Sequence, residues 1–223
     1  MTDTDALLLA GYLHVRPHLV LDRRFAVTMM SREAAALKRH FRPHRDVPGW
    51  ASLGLRTLRG NPTYTEAEAK YGFTPQPSSQ FAQTPFADSC PTIMRAVSKI
   101  VDVDRCRRIR ILALEVGAKI PCHRDEVGPV AIVTHLPLTY DRGCRFMVGL
   151  SPTGARSATT SSVPVRNGAP MLINVAAYHS VENNSKRVRY SVIMEGPLLA
   201  STTELLALAR SVHKRSIAKQ VMK

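Results

Sequence analysis

Gly117-Ala118-Lys119-Ile120-Pro121-Cys122-His123-Arg124-Asp125 reads as a turn feeding a strand, with His123 and Asp125 two positions apart. In an extended strand alternate side chains share a face, so one metal ion can take both. A second stretch, Tyr178-His179-Ser180, supplies an isolated histidine, and Arg189-Tyr190-Ser191 begins ten residues after it. Two imidazoles and one carboxylate on one face of an octahedron leave three positions open, which suits a non-heme Fe(II) centre handling oxygen. Arg189 and Ser191 again share a strand face. A guanidinium fork beside a hydroxyl is a good receptor for a carboxylate, because its charge-assisted bonds can be bidentate. Taken singly, each residue has a plainer reading: His179 as a structural histidine, Arg187 and Arg189 as solvated side chains on an edge strand. The joint spacing favours an iron site that also holds an acidic co-substrate.

Working outward, the flanking sequence is strand-rich. Residues 108–116 are apolar on both faces in their middle, as in a strand covered on both sides. Residues 130–138, 144–150 and 187–195 read as further strands, and 163–166 with 171–175 as a hairpin around Asn167-Gly168. The Ser/Thr/Gly-rich stretch 151–162 reads as a flexible tip or lid. Upstream, residues 5–13 read as a short helix, 19–30 as an early strand, and Ser31-Arg32-Glu33 as the opening of a helix that ends near Pro43. His40 and His44 read as a solvated helix end. A strand at 49–56 carries Trp50, the only tryptophan, and a long loop runs from about 60 to 83. Asp88-Ser89 before Pro91 marks a helix start, with Ile93, Met94, Val97, Ile100 and Val101 on one face. Ser201 and Glu204 form a capping box for a basic C-terminal helix. Helices followed by about seven short antiparallel strands predict an α+β chain built on a double-stranded β-helix, a jelly roll of cupin-like form. Within one domain, 1–105 would pack on the barrel, 106–197 form its core, and 198–223 add the C-terminal helix.

At 223 residues, 44% hydrophobic and 22% charged, the chain has the composition of an ordinary soluble domain. No apolar run is long enough for a membrane span, and the acidic start makes a poor signal peptide, so the expected location is cytoplasmic. The four cysteines lie far apart without a C-x-x-C and read as free thiols, with Cys122 pointing away from the metal face. A net charge of +14 favours an acidic partner, whether peptide, nucleic acid or membrane surface. The basic residues are scattered, and no block has the aromatic interleaving of a single-strand binder.

The set Gly117-x-x-Ile120-Pro121-x-His123-x-Asp125, His135-Leu136-Pro137-Leu138, then His179-Ser180-Val181-x-Asn183-x-Ser185 with Arg189, resembles the aspartyl/asparaginyl β-hydroxylase family, which includes free-proline hydroxylases. The match covers roughly residues 108–195. The resemblance implies His123, Asp125 and His179 as Fe(II) ligands, Arg189 as receptor for the distal carboxylate of 2-oxoglutarate, Ser191 as its helper, and His135 lining the co-substrate pocket. It also implies O2 as oxidant, with succinate and CO2 released as a C–H bond is hydroxylated. Many relatives carry arginine two residues before the pocket histidine, where this chain has Val133. The expected substrate is an amino acid, free or within a peptide or protein. The competing readings are a basic nucleic-acid-binding or interaction module on the same fold without catalysis, and a zinc hydrolase, which lacks a general base and leaves Arg189 unexplained. Trp50, Arg56, Tyr140, Arg145 and the 151–162 loop are the candidates for the entrance.

Overall fold

The computed structural model describes residues 12–14, 17–44, 46–66, 68–125, 131–157 and 160–199. The expected C-terminal helix and most of the helix at 5–13 lie outside them. Among the described residues there are twelve strands: β1 (His18–Val20), β2 (Arg42–Pro43), β3 (Trp50–Leu58), β4 (Phe81–Gln83), β5 (Arg108–Leu114), β6 (Lys119–His123), β7 (Ile132–Pro137), β8 (Cys144–Val148), β9 (Ser161–Ser162), β10 (Met171–Asn174), β11 (His179–Asn183) and β12 (Arg189–Glu195). The α-helices that lie wholly within them are α1 (Thr28–Ala36), α2 (Pro85–Asp88) and α3 (Pro91–Val97). The larger sheet has the order β1-β10-β7-β12-β5-β3-β2, with β4 against β3, and the smaller has β6-β11-β8-β9. All pairings within the two sheets are antiparallel. This is the jelly roll. No helix among the described residues is long and apolar enough to cross a membrane.

The period-two rule sorts the larger sheet into two faces. Tyr190, Val192 and Met194 of β12, with Ile109, Ile111 and Ala113 of β5, join Ile93, Ala96 and Val97 of α3 in an outer core. The opposite parity points inward. Leu114, Met171 and Ile173 meet Ile120, Phe146, Val148 and Val181 of the smaller sheet in an inner core. Arg189 and Ile193 of β12, His135 of β7 and Arg110 of β5 share that inner face by register, since Ile193 pairs with both His135 and Arg110. Between the sheets they line a cleft rather than fill it.

Several elements differ from the sequence reading. The helix expected from Ser31 begins at Thr28, and the strand expected over 19–30 shrinks to β1. The hairpin expected from 163–166 and 171–175 does not form. Ser161–Ser162 pairs with β8 in the smaller sheet, while β10 lies between β1 and β7 in the larger. Asn167-Gly168 is the crossing between sheets, where the Gly168 N–H donates to the Pro137 carbonyl. With φ of +77° and the Phe25 carbonyl 2.0 Å from any added Cβ, only glycine fits there. His44 is not a solvated helix end. Its backbone N–H donates to the Trp50 carbonyl, and its ring stacks on Trp50 at 3.6 Å and 5°, leaving it 8% exposed.

Asn183 closes the barrel below Arg189. Its amide donates to the Leu114 and Arg187 carbonyls, and its oxygen accepts from the Ser185 hydroxyl and the Cys144 thiol. One fully buried side chain therefore ties β5, β8, β11 and the approach to β12. Asn183→Ala leaves these groups without partners, and urea denaturation should record a loss of about 2–4 kcal/mol.

Burial, reinforced by the positive charges of Arg110 and Lys70, lowers the His44 pKa to about 4. Its neutral form is favoured in the folded state, so its stabilisation is complete above the ordinary value near 6.5 and is lost as pH falls toward 4. Unfolding midpoints should decline across that window by about 1–2 kcal/mol, and His44→Phe, which keeps a ring on Trp50, should flatten the decline.

Candidate metal and co-substrate site

The triad begins with strand pairing. His179 of β11 sits directly opposite His123 of β6, placing both imidazoles side by side with ring centroids 4.3 Å apart. The register then shifts between His179 and Val181, with one extra residue on β6 in the segment that holds Pro121. Proline has no N–H to give a ladder, so a bulge is where a strand tolerates it. Beyond the bulge β6 ends at His123. Asp125 therefore lies past the strand, a correction to the reading that put both ligands on it. It is fixed instead by its own N–H, which donates to the Val175 carbonyl at 3.0 Å.

The three side chains converge. One ligand atom from each of His123, Asp125 and His179 lies within 4.8 Å of the others, with Asp125 oxygens 3.3 Å from His123 Nε2 and 3.9 Å from His179 Nε2. His123 Nδ1 is 2.8 Å from the Pro121 carbonyl and His179 Nδ1 is 2.9 Å from the Ala177 carbonyl. A carbonyl only accepts, so each Nδ1 donates, and in the neutral ring Nε2 is left with a lone pair. Two lone pairs and a carboxylate facing one point repel unless a proton or a metal cation stands between them. The donor set fits a divalent metal, with the backbone carbonyls setting ring orientation and tautomer.

The titration shifts follow the same geometry. Burial lowers the pKa of His179, helped by the neighbouring His123 charge. Burial also opposes the His123 cation, but the Asp125 bond and the Pro121 carbonyl outweigh it and the pKa rises. For Asp125 burial pushes upward, and the bond to His123 with the nearby positive charges brings the net shift down.

Arg189 is 4% exposed, and among the described residues it has no hydrogen-bonded or ionic partner. Its guanidinium lies 5.6 Å from the Tyr140 ring and 5.9 Å from Phe146, and burial lowers its pKa. Arg187, two residues earlier, is exposed and holds Asp141 through a bidentate pair, so the solvated reading applies to it alone. A buried, unpaired guanidinium calls for an anion. His135 stands in the same cavity, 8% exposed, with Nδ1 unpartnered and its ring 5.6 Å from Phe146. Burial and the Arg189 charge drive its pKa well down, so it is neutral. Ser191 is fully buried, its hydroxyl 3.5 Å from the Leu136 carbonyl, on the same strand face as Arg189.

His123, Asp125, His179, His135 and Arg189 line one cleft of about 1590 Å³ that runs out past Val133, Arg110, Trp50 and His44. Of the entrance candidates, Trp50 belongs to this wall. Arg56 is buried and bonded to the Cys106 and Asp104 carbonyls, which makes it structural. Tyr140 is half-buried beside Arg189, and Arg145 is exposed on β8 opposite Glu182. Cys122 turns from the triad toward the Ser151 carbonyl, and the thiols of Cys90, Cys106 and Cys144 are free and buried. Sequence reasoning missed Arg110 and His44. Arg110's inward parity on β5 was the available signal.

The family profile described as Aspartyl/Asparaginyl beta-hydroxylase matches residues 27–196. No curated protein matches the chain. Among solved structures, a 2OG-Fe(II) oxygenase family oxidoreductase from Burkholderia pseudomallei is 15% identical, with TM-score 0.52, 86% of this chain and 89% of that one covered. A prolyl hydroxylase from Trichoplax adhaerens, in complex with a hypoxia inducible factor oxygen degradation domain peptide fragment, is 9% identical with TM-score 0.51, covering 91% and 93%. HygX from Streptomyces hygroscopicus, with nickel and 2-oxoglutarate bound, is 12% identical with TM-score 0.50, covering 91% and 89%. These likenesses establish the fold. The profile spans well over half of the sequence, and the chain accordingly belongs to the aspartyl/asparaginyl β-hydroxylase family of 2-oxoglutarate-dependent non-heme iron hydroxylases.

Proposed function

We propose that the protein hydroxylates an amino acid, free or as a residue in a peptide or protein, with His123, Asp125 and His179 holding Fe(II) and Arg189 holding 2-oxoglutarate. The observation that carries this reading is the unpartnered guanidinium of Arg189, buried in the same cleft as a triad whose acceptors face one another. When bound, iron, 2-oxoglutarate and O2 supply the oxidation of a C–H bond, with succinate and CO2 as by-products.

The chain's own residues do the rest. The Pro121 and Ala177 carbonyls keep both imidazoles in the tautomer that offers Nε2 to the metal. Arg189 receives the distal carboxylate of the diacid, with Ser191 on the same strand face as its helper. Neutral His135 lines the pocket without adding a competing charge, and Phe146, beside both Arg189 and His179, excludes water from the space between them. Val133 gives the cleft an apolar wall where many relatives carry arginine. Positive charge near the triad comes instead from Arg110, which acts electrostatically on Asp125 and His135. That the Trichoplax relative holds a peptide fragment supports an opening wide enough for a polypeptide.

Anaerobic titration with Fe(II) and then 2-oxoglutarate, followed by succinate release against amino-acid and peptide panels, tests the reading. Arg189→Ala should weaken 2-oxoglutarate binding by about 100-fold or more, the loss of a buried charge-assisted pair, while Fe(II) still binds. His179→Ala should abolish Fe(II) binding. Normal co-substrate affinity in the Arg189 variant sinks the assignment.

A further inference from the structure

The cleft is larger and more basic than the chemistry at its inner end requires. Its volume of about 1590 Å³ exceeds the ~300–1,000 Å³ usual for small-molecule sites. Eight Arg or Lys side chains line it against four carboxylates. A divalent metal adds two positive charges and 2-oxoglutarate removes two, so the loaded cleft keeps the excess.

That excess sits toward the mouth. Glu195 pairs with Arg108 and Arg110, Glu68 pairs with Arg107 and Arg108, Asp46 approaches Lys70 at 4.0 Å, and Glu66 stands 3.8 Å from the His44 ring, offsetting one of the remaining charges. Arg189 is committed to the co-substrate. Arg42 and Arg105 remain, both exposed on the cleft wall and, among the described residues, without a carboxylate partner, while Arg124, also exposed, stands between His123 and Asp125 over the Tyr178 ring. Register gives the scale. Arg189 pairs with Leu114 and Glu195 with Arg108, six residue steps apart, or about 20 Å of strand. Arg105 lies beyond the Arg108 end. Arg42 pairs with Ser52 on the edge strand β2, and Ser52 lies opposite Leu112, so Arg42 and Arg105 stand on separate elements that only an extended chain spans together.

The aromatic surfaces discriminate among polyanions. Trp50 is covered on one face by His44 at 3.6 Å. Tyr71 packs against Tyr64 at 4.8 Å, and its hydroxyl donates to the Thr63 carbonyl and accepts from the Glu66 N–H. Among the described residues the lining thus lacks an open row of rings on which successive bases could stack, which single-stranded nucleic acid requires.

Resting on the hydroxylase reading above, we infer that the substrate is an acidic polypeptide segment, laid along the cleft so that carboxylates flanking the hydroxylated residue meet Arg42 and Arg105. The peptide's negative charge supplies the counter-ions that the mouth lacks. Its extended backbone carries the target side chain inward to the triad.

The test uses protein loaded anaerobically with Fe(II) and 2-oxoglutarate, and fluorescence anisotropy of three labelled probes. These are an Asp/Glu-rich dodecapeptide, its Asn/Gln isostere, and a single-stranded DNA oligonucleotide of similar length. The acidic peptide should bind tightest, and its affinity should fall with salt. Arg105→Glu should weaken it by roughly tenfold, and Arg42→Glu with Arg105→Glu by roughly a hundredfold, with Fe(II) and 2-oxoglutarate titrations unchanged. Equal binding of the isostere, tighter binding of the oligonucleotide, an unaffected double variant, or no peptide binding by protein that has taken up 2-oxoglutarate each overturns the acidic-peptide inference alone. Failure to take up Fe(II) and 2-oxoglutarate overturns the hydroxylase reading and this inference with it.

Discussion

The two imidazole hydrogen bonds to the Pro121 and Ala177 carbonyls set a constraint that the surrounding structure has to satisfy. Once each Nδ1 proton is given away, both Nε2 lone pairs are directed at the Asp125 carboxylate, and the three groups can be held together only around positive charge. Much of the local architecture keeps them in place. The β6–β11 register sets the rings opposite each other, and the bulge at Pro121 turns the chain out of the ladder. The Val175 carbonyl catches Asp125, and Asn174 holds the flanking backbone through the Ala131 and Ala176 N–H groups. None of these contacts is strong alone. Together they fix donors before any ligand arrives, which is what a preorganised metal site needs.

The sheet alternation then divides the labour. Outward-facing residues of β5 and β12 are apolar and pack on α3, forming the core that stabilises the fold. Inward-facing residues of the same strands include Arg108, Arg110, Arg189 and Glu195, which would be unfavourable in a filled core. Burying an unpaired guanidinium costs several kcal/mol, of order the penalty of desolvating one ion in a protein interior. The barrel tolerates Arg189 because its outer face and the Asn183 network hold the strands whether or not an anion is present.

Much of this was legible from the sequence, for reasons that differ by residue. The i, i+2 spacing of His123 and Asp125 and of Arg189 and Ser191 is a local signal, and period-two geometry converts it directly into a shared face. The same rule could not show that β6 stops at His123, because the bulge depends on what β11 does opposite Pro121. It also put Ser191 on the face of Arg189, where register keeps it, fully buried with its hydroxyl toward the Leu136 carbonyl. The missed hairpin at Asn167-Gly168 has a similar cause. Apolar alternation identifies a strand but not its neighbour, and in a jelly roll consecutive strands belong to different sheets. His44 was read as solvated from its basic surroundings, and its burial arises from pairing of β2 with β3 and the Trp50 ring, both beyond its local sequence.

The charge distribution along the cleft gives two anion-attracting regions of different kinds, separated by the metal position. At the inner end Arg189 is enclosed, so a single carboxylate there meets a weakly screened charge, and affinity follows from one well-defined contact. Away from the triad Arg42 and Arg105 are open to water, where each ion pair contributes little and salt weakens it. A free diacid is best served by the first region. The second gains only when several weak contacts are made by one molecule, which is the condition an extended acidic chain meets and a small one does not. Val133 fits this division. With no arginine beside His135, the middle of the cleft is left apolar, and because Glu195 pairs with Arg108 and Arg110, the charge that guides a substrate is carried by Arg42 and Arg105, on the approach to the reacting centre rather than at it.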